Sequence, residues 1–305
     1  MTDLQLGIAL PNFERGANRD GVIAAADAAE RLGWHSAMTT DHVLIPRAVA
    51  ETYGDMLEAL ATLAYLAGRT ERLILGTSVL VVPMRNAVLV ARELATIDVL
   101  SGGRLVAGVG IGWNEGEFAN LGVADNFRRR GRYTEEAIAV WRHLWSGSEE
   151  PFEGRFFSFS DFAFGPPPAQ PGGPPIWIGG RSEAAVRRAG RLAQAYQSSS
   201  TSPDAYAERI PILRAAAAEA GRPMPLLSAR VVVRFDKPPA ASGYTVSGDD
   251  DAIADELGRF LDLGVEHLLV AFGEVEAERV VARMERFDRA IRPHLAAQTP
   301  AAGAA

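Results

Sequence analysis

Apolar residues come along this chain in short runs separated by amphipathic stretches, and the alternation is regular. Residues 4–10 and 35–39 read as strands, with an alanine-rich helix, GVIAAADAAERL, between them. The pattern is sharpest from 72 to 117, where nearly all-apolar runs at 73–82 and 104–109 flank an amphipathic stretch from 86 to 100. A short run that is apolar at every position suits a strand covered on both faces, as in a parallel sheet, and the stretch between two such runs serves as the crossover helix. A helix is predicted over 54–67, another over 130–145 with Tyr133, Ala137, Val140 and Leu144 on one face, then a strand at 175–178 and a helix at 182–192 capped by Ser182. A short strand at 195–198, a helix at 203–220, a strand at 226–235, a helix at 249–263, a strand at 267–271 and a helix at 275–291 complete eight strands and eight helices. No GxGxxG turn marks a dinucleotide-binding sheet. The predicted fold is an α/β TIM (β/α)8 barrel, one domain over residues 1–292, with its site at the C-terminal ends of the strands.

Two segments break the rhythm, and a tail follows it. Residues 146–174 carry FEGRFFSFSDFAFGPPPAQPGGP, aromatics alternating with polar residues before a Pro/Gly run. This predicts an extended excursion and a rigid loop long enough to cover one end of the barrel. Residues 236–248 form a second loop, and 293–305 read as a disordered tail.

Composition removes several chemistries. The 305 residues are 48% hydrophobic, ample for a large core. The absence of cysteine excludes disulfides, thiolate metal sites and thiol nucleophiles. A formal charge of −7 opposes nucleic-acid binding. Lys237 is the single lysine, so an anion must be held by arginines, hydroxyls or helix N-termini. MTDLQLGIAL carries no basic leader, and no run approaches the roughly 18 apolar residues of a membrane span. A cytoplasmic setting without a membrane partner is expected.

Four clusters fall at strand ends. Asp41 and His42 follow the second strand; His42 reads either as a proton-transfer group or as a packed histidine, and Asp41 as its partner or as a turn cap. Gly76, Thr77 and Ser78 end the third strand, where glycine marks a bulge, a ligand at the backbone or close helix packing. Gly108, Gly110 and Gly112 alternate through GVGIGWNEGEF, which puts them on one side of a strand and clears space for something flat, with Trp113 and Asn114 beyond. Gly179, Gly180, Arg181 and Ser182 join a strand to a helix, as a phosphate cradle or a plain serine cap. His35, His143, His267 and His294 form no metal-like pair and read as structural. The RRRGR run at 128–132 and Arg187, Arg188 and Arg191 read as solvated faces. Glu115 and Glu117 read as helix-start residues favoured by the macrodipole.

Taken together, LGIALPNF, TTDHV, LGTSVLVVPMRNAVLVARELATIDVLSGGR, GVGIGWNEGEF and PIWIGGRSEAAVRRAGRLA resemble the luciferase-like monooxygenase superfamily, and more closely its deazaflavin branch using coenzyme F420. The resemblance implies that Asp41 and His42 lie at the ring, with His42 the acid/base group. It implies a cis peptide at Ser78-Val79 behind the ring, and Gly110, Gly112 and Trp113 as the ring's wall. Gly179, Gly180, Arg181 and Ser182 would hold the ribityl phosphate, and RRRGR gains a use against the acidic F420 tail. Family members that oxidise sugar phosphates carry a glutamate where Trp113 stands, and lysines for the phosphate, so that reaction is not expected here. The implied activity is hydride transfer between F420 and a small, largely apolar organic substrate, with the 146–174 aromatics lining the pocket, in a homodimer. The alternatives are an FMN-dependent monooxygenase supplied by a partner reductase, and a flavin- or deazaflavin-binding homologue without turnover.

Overall fold

A computed structural model describes residues 4–240 and 243–298. The barrel strands are β1 (Gln5–Ala9), β2 (Ser36–Thr39), β3 (Ile74–Thr77), β4 (Leu105–Gly110), β5 (Ile176–Gly179), β6 (Ala195–Ser199), β7 (Leu226–Phe235) and β8 (His267–Ala271). Each pairs in parallel with the next, and β8 returns to β1 in the register Gln5↔His267 to Ile8↔Val270. The sheet therefore closes, leaving no edge among these strands.

Helices α1 (Arg19–Arg31), α2 (Ala59–Ala67), α3 (Ala87–Ser101), α4 (Ala124–Trp145), α5 (Glu183–Leu192), α6 (Arg209–Glu219), α7 (Asp250–Asp262) and α8 (Ala277–Ala290) ring it. Alternation along the strands sorts the core into two layers. Leu6, Ile8, Leu105, Val109, Ile176, Ile178, Leu268 and Val270 face the helices, in one large cluster with Trp141, Phe260 and Phe287. Ala9, Met38, Val106, Trp177 and Leu269 fill the barrel itself. Among the described residues no helix is long and apolar enough to cross a membrane.

Several expected boundaries move for local reasons. The helix predicted from 54 starts at Ala59, where Glu58 accepts the Ala61 amide at 2.6 Å. The segment before it makes a short helix, Ala50–Tyr53. The helix expected over 203–220 is split into Pro203–Ala207 and α6. RRRGR lies inside α4, because the helix already begins at Ala124. The tail expected from 293 begins instead as a helix, Arg292–Gln298, with Leu295 buried. Pro293 is compatible with its first turn, where a missing amide costs nothing. Residues 299–305 lie outside the described residues.

The 146–174 segment does not cover the barrel mouth. Its short hairpin, Phe152–Glu153 with Ser158–Phe159, runs along the outside of α4. The Phe156 and Phe157 amides donate to Glu136 at 2.6 and 2.9 Å, and both rings meet Tyr133. Phe152, Phe159 and Phe162 gather around His143. Gln170 reaches Asp98 on α3 and the Leu105 carbonyl, at the N-terminal end of β4. The aromatics are spent on packing two helices, not on lining a pocket.

Candidate active site

The glycines of β4 and β5 make room for a backbone bulge. After β3 the chain passes through a cis Ser78-Val79 peptide and then resumes pairing with β4 through Leu80 and Val81. A Cβ on Gly108 would lie 1.8 Å from the Thr77 carbonyl oxygen. One on Gly110 would lie 2.3 Å, and one on Gly179 2.5 Å, from the two methyls of Val79. The cleared space is therefore filled by Val79 itself. Likewise the missing side chain of Gly112 is replaced by Val81 and Phe118. Gly110 and Gly112 are packing partners of the bulge. The alternation was a correct sign of crowding, but the neighbour is the chain.

The bulge is pinned from three sides. The Ser78 amide donates to the Thr39 carbonyl at 2.7 Å, and the Thr77 hydroxyl to the Gly108 carbonyl at 2.6 Å. The Val81 amide donates to Asp41 Oδ2 at 2.8 Å. Asp41 has a fully buried side chain, and Arg85 Nη2 donates to its Oδ1 at 2.7 Å. With both oxygens committed, Asp41 positions the bulge and Arg85.

His42 is held differently. Its Nδ1 meets Glu117 Oε2 at 2.7 Å, both side chains being nearly inaccessible. Glu117 Oε1 accepts the Val43 amide at 2.6 Å, and its own amide donates to the capping Asn114 at 3.2 Å. The short helix Glu115–Asn120 has Glu117 in its first turn, as the sequence suggests, and presents it to His42 as well. A carboxylate on Nδ1 fixes the ring and leaves Nε2 as the nitrogen for a proton or a ligand. Around it stand Tyr53, 4.5 Å away between centroids, and Trp113 at 6.0 Å. Val43, Leu44 and Trp113 are each at least half exposed, so apolar surface gathers beside this histidine.

A polar ladder runs inside the barrel to the bulge. Ser36 and Ser228 each lie 2.8 Å from a ring nitrogen of His267. Gln197 donates to Ser228 at 3.2 Å and accepts from the Ser78 hydroxyl at 2.5 Å. Arg230 donates to the Ser78 carbonyl and, at 2.9 Å, to the Thr40 hydroxyl. Burial, helped by nearby His35, lowers the His267 pKa to about 3, so the ladder is neutral there. Gln197, Arg230 and Tyr53 were not singled out from sequence, and Glu117 was read only as a helix-start acid. Only Arg230 left a signal, as a cation inside the apolar run LLSARVVVRF.

Gly179, Gly180, Arg181 and Ser182 form an open turn into α5. Ser182 caps it through the Ala185 amide at 3.3 Å, and Arg181 is exposed. A Cβ on Gly180 (φ 143°) would lie 2.6 Å from Ala185. Across the mouth, at the ends of β7 and β8, lies a cavity of about 720 Å³. Four glutamates and five basic side chains line it, so this cavity is strongly charged. Phe13 stacks on Tyr53 at 6.0 Å on the His42 side. Their chain neighbours Glu14 and Thr52 line the cavity and bond to each other through the backbone at 3.0 Å.

A model of the luciferase-like monooxygenase family matches residues 4–301. The chain belongs to that family. Among its relatives is an F420-dependent glucose-6-phosphate dehydrogenase of Microbacterium testaceum, 30% identical, the match spanning 79% of this chain and 84% of that protein. An FMNH2-dependent dimethylsulfone monooxygenase of Pseudomonas putida is 32% identical, over 68% of this chain and 57% of its own length. A solved F420-dependent secondary alcohol dehydrogenase, in complex with an F420-acetone adduct, shares the fold with a TM-score of 0.81 at 19% identity, covering 96% of this chain and 99% of that one. Within the luciferase-like family this chain is an oxidoreductase, with relatives on both sides of the F420/flavin divide.

Proposed function

We propose that this luciferase-like protein is an F420-dependent oxidoreductase moving hydride between the deazaflavin and a small organic substrate. The observation that carries the reading is the pairing of His42 with buried Glu117 at the barrel mouth, on the same side as the pinned Ser78-Val79 bulge. When bound, the deazaflavin supplies the carbon that gives or takes hydride. The chain's residues fit such a group: Val79 is the partly exposed tip of a rigid bulge, and Trp113 offers an accessible aromatic face. The turn at Arg181 and Ser182 brings a hydroxyl, an exposed guanidinium and the N-terminus of α5 to a phosphate. His42, with Nδ1 held by Glu117, hands a proton to or from the substrate at Nε2. Support for F420 over FMN comes from relatives named F420-dependent glucose-6-phosphate dehydrogenases, matched over most of both lengths. The Pseudomonas relative favours the second reading, an FMN monooxygenase fed by a reductase.

Titrating the purified protein with both cofactors separates the two. Micromolar affinity for F420 and none for FMN is expected; the converse rejects the first reading. His42→Ala is expected to keep cofactor affinity and to lose about 10²- to 10⁴-fold in turnover. Undiminished turnover makes His42 a packing residue.

A further inference from the structure

The inner face of β7 carries Ser228, Arg230, Val232 and Arg234 in succession, since side chains alternate along a strand. Ser228 is in the buried ladder and Arg230 holds the bulge. Arg234, one step further towards the mouth, lines the 720 Å³ cavity. Its Nε is buried and has no hydrogen-bond partner, and no ion pair involves it among the described residues.

Three of the other four cations of this cavity are differently placed. Glu274 draws Lys237, Arg279 and Arg283 to itself, at 3.6, 3.8 and 3.5 Å. One half-buried carboxylate faces three cations, so the surroundings cannot supply Arg234 with a spare anion from that group. A guanidinium with a desolvated, unbonded N–H is destabilising as it stands, whereas a carboxylate or phosphate would satisfy it with charge-assisted bonds. Its planar fork suits oxyanions better than an ammonium would, so the scarcity of lysine does not argue against an acidic ligand.

We infer that Arg234 is the anchor of an oxyanion subsite in the cavity between the ends of β7 and β8, taking a carboxylate or phosphate group of the molecule that occupies the barrel mouth. Only the identity of that molecule rests on the hydride-transfer reading; the subsite itself does not. Glu14 and Thr52 connect the cavity to the Phe13–Tyr53 stack beside His42, which places the anchor across the mouth from the reacting end.

The probe is inorganic phosphate, titrated into the full-length protein with thermal unfolding as readout. The wild type is expected to gain stability saturably. Arg234→Gln should weaken the apparent affinity by about tenfold or more, the scale of one charged hydrogen-bond set. Arg234→Lys should retain part of it, and Arg19→Gln, on the exposed surface, all of it. A folded Arg234→Gln protein that responds to phosphate like the wild type overturns the proposal, as does a wild type that does not respond. Binding of F420 and of its phosphate-free riboside then distinguishes the source. Weakening confined to F420 assigns the subsite to the cofactor's acidic tail, and unchanged binding of both assigns it to the substrate.

Discussion

The two sides of the barrel mouth are built on opposite terms. On the β2–β4 side every polar group described has its partner within the protein: Asp41 with Arg85 and Val81, His42 with Glu117, Ser78 with Gln197 and Arg230. On the β7–β8 side charges line an open cavity, and Arg234 keeps a buried N–H without a partner. The first arrangement fixes a shape before any ligand arrives. The second leaves electrostatic work for a ligand to complete. In a hydride-transfer site this division is sensible, because orientation at the reacting end demands rigidity, while binding at the far end contributes free energy only if something remains to be satisfied.

The contrast can be broken most forcefully by charge removal. Arg85→Ala leaves a fully buried Asp41 without its cation and is expected to cost about 3–5 kcal/mol in urea denaturation. Arg234→Leu removes a cation that has no protein partner, and should change stability by no more than about 1 kcal/mol. Equal costs for the two would erase the distinction drawn between the sides.

A smaller effect tests the bulge. Gly179→Ala sets a methyl 2.5 Å from Val79 Cγ1 and is expected to destabilise by about 1–3 kcal/mol. Adding Val79→Ala removes that clash, the next atoms being 3.7 Å away, and should restore most of the melting temperature. Gly108→Ala meets the Thr77 backbone oxygen at 1.8 Å and should not be rescued by the same change. Rescue of Gly108→Ala, or none of Gly179→Ala, would show that Val79 is not what the glycines accommodate.

The gentlest probe is pH. His267 is neutral when folded because burial lowers its pKa to about 3, whereas an unfolded histidine titrates near 6.5. Between these values the unfolded chain binds more protons, so the contribution is complete above about pH 6.5 and declines as pH falls towards 3. Its slope is at most about 1.4 kcal/mol per pH unit. His267→Gln should flatten that part of the stability profile between pH 7 and 5.5; an unchanged slope would assign the acid sensitivity to other groups.

The barrel was legible because its evidence is local. β7 and β8 fall where the apolar runs do, 226–235 and 267–271, and Asn86, Ser182 and Asp249 cap helices as their residue types suggest. What was missed lies wherever a residue's partner is far along the chain. Glu117 read only as a helix-start acid because its second partner, His42, is 75 residues away. Asp41 read as a partner of His42 because the two are neighbours in sequence, while its carboxylate accepts from Arg85 and Val81. The 146–174 aromatics looked like a lid because their periodicity says nothing about which side of the barrel receives them.

The sequence by itself determined the period of the elements, the closed parallel architecture and the strand ends at which chemistry is possible, since backbone preferences and burial patterns act over a few residues. Tertiary structure alone decided what each strand end does. Whether a glycine makes room for a ligand or for Val79, and whether an arginine is satisfied like Arg230 or waiting like Arg234, depends on atoms brought together from opposite staves of the barrel. Burial and charge pairing are properties of that meeting, and no single stretch of the chain contains them.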